Sequence, residues 1–241
     1  MISNSNPYNE YFDCLPEDFV GRRDEIWKIM NVLARPSGQA HLEIKGLPET
    51  GKSRLISYIK YLLTPEKSPS LKKRDWQTKI AEKYTALNCN SMFVVQVSFS
   101  QIPFGMHPFQ YLYNRFHETY KDYLSFERLI KHQYPIIDYQ EKFRSVDEII
   151  RKLGSEISIL NERLIYSVLL LDDFDKIFAN QIVSKQEVNL LRSIRDQVAI
   201  ILFTEKSLSK VNPDASSSPF FQSMPAESLS SLSEDEARKF L

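Results

Sequence analysis

The eight residues Gly46-Leu47-Pro48-Glu49-Thr50-Gly51-Lys52-Ser53 fit the pattern G-x-x-x-x-G-K-[ST], a cradle for phosphate groups. Glycines permit backbone angles that turn successive N–H groups inward, making a nest for phosphate oxygens. A helix beginning at Lys52 aims its positive end at the same anion. Lys52 is expected to reach the β- and γ-phosphates and the Ser53 hydroxyl to ligate Mg²⁺, while Gly46, Glu49, Thr50, Gly51 and Arg54 line the nucleotide. The chain has six glycines in 241 residues, and two of them occupy the fixed positions of this loop. A chance match in so glycine-poor a chain is rare.

A second constellation lies at Leu169-Leu170-Leu171-Asp172-Asp173-Phe174-Asp175. An apolar strand ending in acids, downstream of a phosphate loop, supplies a metal ligand and a base. Asp172 at the strand end is expected to hold Mg²⁺ and Asp173 to orient or deprotonate an attacking water. Asp175 reads as a helix cap or a surface acid. Thr204 closes a further apolar run, where it either touches the γ-phosphate or the attacking water, or simply ends a strand. Lys52, Asp173 and Thr204 are therefore the candidate catalytic residues. Phe19-Val20-Gly21-Arg22-Arg23-Asp24-Glu25 places a glycine and a charged helix start ahead of the loop, suited to a lid on the adenine edge formed by Val20, Gly21 and Arg22.

These residues need particular elements to hold them. Alternation over His41–Lys45 predicts a strand entering the loop, and Leu55, Ile56, Ile59, Leu62 and Leu63 predict a helix over Lys52–Leu63. An amphipathic helix is expected within Phe19–Leu33, further strands at Met92–Phe99, Leu164–Leu171 and Val198–Phe203, and a short fifth within Gln222–Leu229. Helices are expected from Phe109 to about Tyr123, over Ser145–Leu160 and over Gln186–Asp196. The aromatics of Leu124–Gln140 show no clean period. Residues 1–18 read as a polar lead-in, Thr64–Asn90 as a surface insertion, and residues 19–232 as one α/β core. Ser233-Glu234-Asp235-Glu236 begins a helix at a capping serine. Strands alternating with helices imply a mostly parallel sheet covered on both faces.

Composition narrows the field further. Formal net charge is zero, so no global field favours nucleic acid or anionic membrane. The basic, aromatic stretch Lys72–Lys79 reads as a solvated insertion, and nucleic acid is not the expected partner. No apolar run approaches the ~18 residues of a membrane span. Cys14 and Cys89 match no zinc or redox spacing and suit reduced thiols, so the expected location is the cytoplasm. The N-K-x-D string of GTPases is absent, as is the L-S-G-G-Q-like signature of ABC ATPases. Residues 174–190 lack the arginines that a small-molecule kinase lid requires.

Taken together, these motifs resemble those of AAA+-related ATPases of the STAND class, the signal-transduction NTPases. Gly21, Arg22 and Glu25 match that class's h-h-G-R-E-x-E box, with Arg23 where an acid is usual. Gly46–Ser53 resembles Walker A and Leu169–Asp173 a Walker B ending in paired acids. Leu229–Ala237 resembles the L-x-x-L-S-x-x-E-A entry to a helical lid, cut short at Leu241. The resemblance implies a P-loop NTPase sandwich with sheet order 5-1-4-3-2, an adenine pocket near Val20 and Gly21, and ATP/ADP with Mg²⁺ as ligands. It also implies slow hydrolysis driving a conformational or assembly switch, with a homo-oligomer or C-terminal regulatory domains as partners. Glu205 stands where family members often carry an arginine, and Arg192 and Arg195 are candidates for an arginine finger. Two other readings remain open: a mechanical ATPase acting on nucleic acid or protein, and a nucleotide-binding interaction module without turnover.

Overall fold

Val94–Val97, Val168–Leu171 and Ala199–Phe203 are almost continuously apolar, the pattern of strands buried on both faces of a sheet. In the computed structural model these runs form three neighbouring strands, one at the edge and two inside, of a five-stranded, wholly parallel sheet. The structure describes residues 21–35, 40–64, 91–131, 143–181, 183–213, 217–222 and 224–231. Strands are β1 (His41–Gly46), β2 (Ser91–Ser98), β3 (Ile165–Asp172), β4 (Ala199–Thr204) and β5 (Ala226–Leu229). Their spatial order, β2-β3-β4-β1-β5, is the expected 5-1-4-3-2 order viewed from the other edge.

The two-residue period of a strand sorts the core into two layers. Phe93, Val95, Val97, Leu169, Leu171, Ile200 and Leu202 face α3 (Pro108–Lys131) and α4 (Val146–Glu162). Val94, Val168, Leu170, Ile201, Phe203, Leu42 and Ile44 face α1 (Arg23–Leu33) and α2 (Lys52–Leu63). Phe93 and Phe116 meet edge-to-face at 5.1 Å between ring centroids. Both are fully buried, and each contributes roughly 2–3 kcal/mol of hydrophobic stabilisation.

Several boundaries differ from the sequence expectation for local reasons. Helix α1 starts at Arg23, because Arg22 sits in the left-handed region at φ 56°. Strand β3 starts at Ile165, after Leu164 at φ 59°, and extends one residue further to include Asp172. Helix α3 continues past Tyr123 to Lys131, into the stretch that showed no clean period. The helix expected over Gln186–Asp196 is two short ones, α5 (Lys185–Leu190) and α6 (Arg192–Arg195), separated by a turn at Leu191. Ser184 and Glu187 form a capping box at the start of α5. The lead-in at residues 1–18, nearly all of the insertion at 64–90 and the lid start at residues 233–241 lie outside the described residues.

Candidate functional site

In a parallel sheet, chemistry collects at the carboxyl ends of the strands, where the order of connections reverses. Strand β1 feeds α2 and then the far edge strand β2, so the reversal lies between β1 and the β3–β4 pair. The loop Leu47–Gly51 leaves β1 at that point and turns into α2. Two of its residues have positive φ: Glu49 at 64° and Gly51 at 83°. No side chain caps α2 at Gly51, so its first N–H groups remain available to an anion.

The loop is tied up from within. Lys52 Nζ donates to Gly46 O at 2.6 Å and to Leu47 O at 2.9 Å. Thr50 Oγ1 donates to Leu47 O at 2.7 Å. A Cβ on Gly46 would lie 2.7 Å from that hydroxyl and 3.1 Å from Leu229 Cβ, so a glycine is needed there. Arg22 provides a brace from outside: it donates to Thr50 O at 2.8 Å and pairs with Glu25 at 3.1 Å, while almost fully buried. The GRxxE box therefore contacts the phosphate loop directly. Val20, its expected partner at the adenine edge, lies outside the described residues; Gly21 is half-buried at φ 83°. Arg54 is half-buried in the first turn of α2.

Facing the loop, the end of β3 presents its acids. Ser53 Oγ donates to Asp172 Oδ2 at 2.7 Å, closing a span of 119 residues. Asp172 Oδ1 accepts from Asp173 N at 3.0 Å. Burial pushes the Asp172 carboxyl above its ordinary range, the Ser53 hydrogen bond pulls it down, and the neighbouring Asp173 charge pushes it up. A buried carboxylate beside a hydroxyl is a donor set for a hard divalent cation such as Mg²⁺. Among the described residues no three His, Cys, Asp or Glu side chains group around a metal. A cation between Ser53 and Asp172 would thus need phosphate or water oxygens to complete its shell. Asp173 itself adopts φ 54° and pairs with Lys176 at 3.0 Å.

Thr204 is drawn elsewhere. It is fully buried, and its hydroxyl donates to Glu43 Oε1 at 3.1 Å, on the sheet face opposite Ser53 and Asp172. Arg192 and Arg195 precede β4 at its amino end, the end of the strand opposite the site. Two acids missed as site components stand close by. Glu43, the single acid in β1, is buried on the α3–α4 face. Asp175 is 7% exposed, and its carboxylate accepts from Glu205 N at 3.1 Å and Lys206 N at 3.2 Å. It is neither a helix cap nor a surface acid. A lone acid alternating with apolar residues in His41-Leu42-Glu43-Ile44 was the available signal for Glu43; Asp175 had none beyond its nearness to Asp172.

Comparison with solved structures places this arrangement. The ORC2 protein of Aeropyrum pernix, solved as ADPNP–ADP complexes, superposes with a TM-score of 0.59 at 11% identity over 94% of this chain and 52% of that one. A Walker-type ATPase of Pyrococcus abyssi gives 0.56 at 14% identity, covering 93% and 57%. The Aeropyrum pernix ORC1 protein in complex with DNA gives 0.55 at 14% identity, covering 96% and 50%. The fold is that of the AAA+-type P-loop NTPases. At these identities the likeness is one of fold, and the chain spans about half the length of each of these structures. No protein-family model and no curated protein sequence matches it. No helix among the described residues is long and apolar enough to cross a membrane.

Proposed function

We propose that this chain is the ATP-binding core of a regulatory NTPase of the STAND type. The observation that carries the reading is the Ser53–Asp172 hydrogen bond, which joins the phosphate loop to the acidic strand end across the sheet's switch point. Lys52 would leave its two loop carbonyls for the β- and γ-phosphates, and the N–H groups at the start of α2 would donate to the same oxygens. Ser53 and Asp172 would hold Mg²⁺, which when bound neutralises charge on the phosphates. Gly46, Glu49, Thr50, Gly51 and Arg54 would line the triphosphate, with Val20, Gly21 and Arg22 toward the base. The direct contact of Arg22 with Thr50 O supports the STAND box as part of the site.

Asp173 would be the group that orients or accepts a proton from the attacking water. Its pairing with Lys176 favours slow turnover, and gives the second reading, nucleotide binding without hydrolysis, a specific basis. Coupling to a partner or a second copy of the chain belongs to the same proposal. The ADPNP–ADP complexes of the ORC2 neighbour agree with a site that takes both nucleotide states. Calorimetric titration of ATP and ADP with Mg²⁺, with phosphate release from wild type and Asp173→Ala, tests it. Binding with turnover that disappears in the variant supports the ATPase. Binding without turnover supports the second reading, and absence of binding overturns both.

A further inference from the structure

Between β2 and α3 the chain makes a tight turn with a phenylalanine at its corner. Met106 N donates to Pro103 O at 3.0 Å, and Gly105 takes φ 79°, the left-handed angle that such a turn requires at its third residue. Phe104 precedes it and is fully exposed. The turn is anchored by the next residue: His107 Nδ1 accepts from Phe109 N at 3.3 Å, and its Nε2 lies 3.3 Å from Glu187 Oε1 on α5. Beside Phe104 opens a cleft of about 520 Å³, lined by the turn and by the starts of α3 and α4. Phe104, Met106, Phe143 and Val146 give it an apolar lining, the last three resting on the core, while Gln110 and Arg144 add polar groups. Single apolar side chains on a surface are ordinary, but an apolar cleft beside a fixed, protruding phenylalanine marks an interaction site.

We propose that this cleft is a two-fold interface between copies of the chain, with Phe104 of each copy entering the cleft of the other. Two features select a second copy as the occupant. The protruding side chain lines its own cleft, so a two-fold axis beside it satisfies both copies at once and the contact closes as a pair. The charges at the start of α4 are also self-complementary. Arg144 is exposed, and among the described residues no ion pair engages its guanidinium; its backbone N–H donates to Glu148 Oε2. Asp147 is exposed three residues further on and pairs with exposed Arg151 at 2.8 Å. A surface pair of that kind is weak and readily exchanged, so Arg144 of one copy can meet Asp147 of the other. Two Phe104 side chains supply roughly 400 Å² of the ~1,600 Å² that a stable pair buries, so the dimer is expected to dissociate at about tens of micromolar. None of these residues belongs to the phosphate loop or the acidic strand end, and the proposal stands apart from the nucleotide reading.

Sedimentation equilibrium on the nucleotide-free chain, from about 5 to about 500 µM, tests the proposal. Wild type should fit a monomer–dimer equilibrium. Phe104→Ala removes an exposed side chain, spares the fold, and should raise the dissociation constant about tenfold or more. Gln110→Trp fills the cleft and should do the same, with thermal melting to check that it folds. An equimolar mixture of these two variants regains one of the two contacts, so it should associate more tightly than either alone and less tightly than wild type. Arg144→Glu should weaken the pair severalfold, and adding Asp147→Arg should recover it. A wild type that stays monomeric throughout overturns the proposal and leaves the cleft to a different protein. Association that Phe104→Ala leaves unchanged overturns it as well, and so does a mixture no tighter than its components or a double charge variant no tighter than Arg144→Glu. Growth beyond dimers would mark a head-to-tail contact and overturn the two-fold arrangement.

Discussion

The two halves of the candidate site are held together by contacts of opposite range. In the phosphate loop, Lys52 bonds to carbonyls six and five residues back, and Thr50 to one three residues back. At the acidic end, Asp172 meets a hydroxyl 119 residues away, and Asp175 meets amides 30 and 31 residues further on. The loop half is a local object whose shape follows from its own residue types. The acidic half acquires its partners when the sheet assembles. A lesion in the first should act on ligand affinity and loop geometry, and one in the second on the coupling between strands.

The largest expected effect tests the local half. Lys52→Ala removes the only cation within the loop motif, and ATP affinity should fall by about a hundredfold in calorimetric titration. Unchanged affinity would sink the assignment. Gly46→Ala comes next: its methyl meets Thr50 Oγ1 at 2.7 Å, and overpacking of that kind costs about 2 kcal/mol in denaturant unfolding. Because the clash is with a side-chain hydroxyl, adding Thr50→Ala should recover much of the loss; an additive double mutant would show that the strain lies in the backbone instead.

Asp172→Asn tests the long-range half. Mg²⁺-dependent tightening of ATP binding should weaken about tenfold or more, since the ligand loses its charge. Stability should move the other way. Burial is the largest influence on Asp172 and raises it, so the folded state favours the protonated acid. The stabilisation this supplies is complete below the ordinary carboxylate range and is lost as pH rises through the raised value. At neutral pH the neutral amide removes that penalty. The nucleotide-free variant should therefore melt higher than wild type, and a lower melting temperature would show that the Ser53 bond outweighs the burial.

The smallest effect returns to the loop. Glu49 holds φ 64° without being a glycine, a conformation costing roughly 1 kcal/mol, and places a carboxylate in an anion cradle. Glu49→Gly should leave the folded state up to about 1 kcal/mol more stable and bind ATP severalfold tighter at low salt. Equal affinities at low and high salt would place the carboxylate's charge away from the phosphates.

Much of the fold was legible because its strands are short apolar runs that periodicity and length identify together. Strands β1 to β4 lie where the sequence places them within a residue, α2 and α4 within a residue or two, and β5 fills only the second half of Gln222–Leu229. The extension of α3 was not legible. Phe116, Tyr120 and Tyr123 stand at helical spacing, pack on Phe93 and mark the helix as far as Tyr123, whereas the aromatics of Leu124–Gln140 show no clean period. Thr204 was legible as the end of a strand, but the face its hydroxyl takes follows from the sheet's register.

From the sequence by itself come the phosphate loop, the acidic strand end and the alternation that makes a parallel sheet, since each depends on residue type and spacing within a dozen residues. Tertiary structure alone decided that Ser53 meets Asp172, that Arg22 braces Thr50, and that Glu43 and Asp175 grip one loop from two sides. The physical reason is that a buried carboxylate must find hydrogen-bond donors, and the donors it finds are fixed by which strands become neighbours.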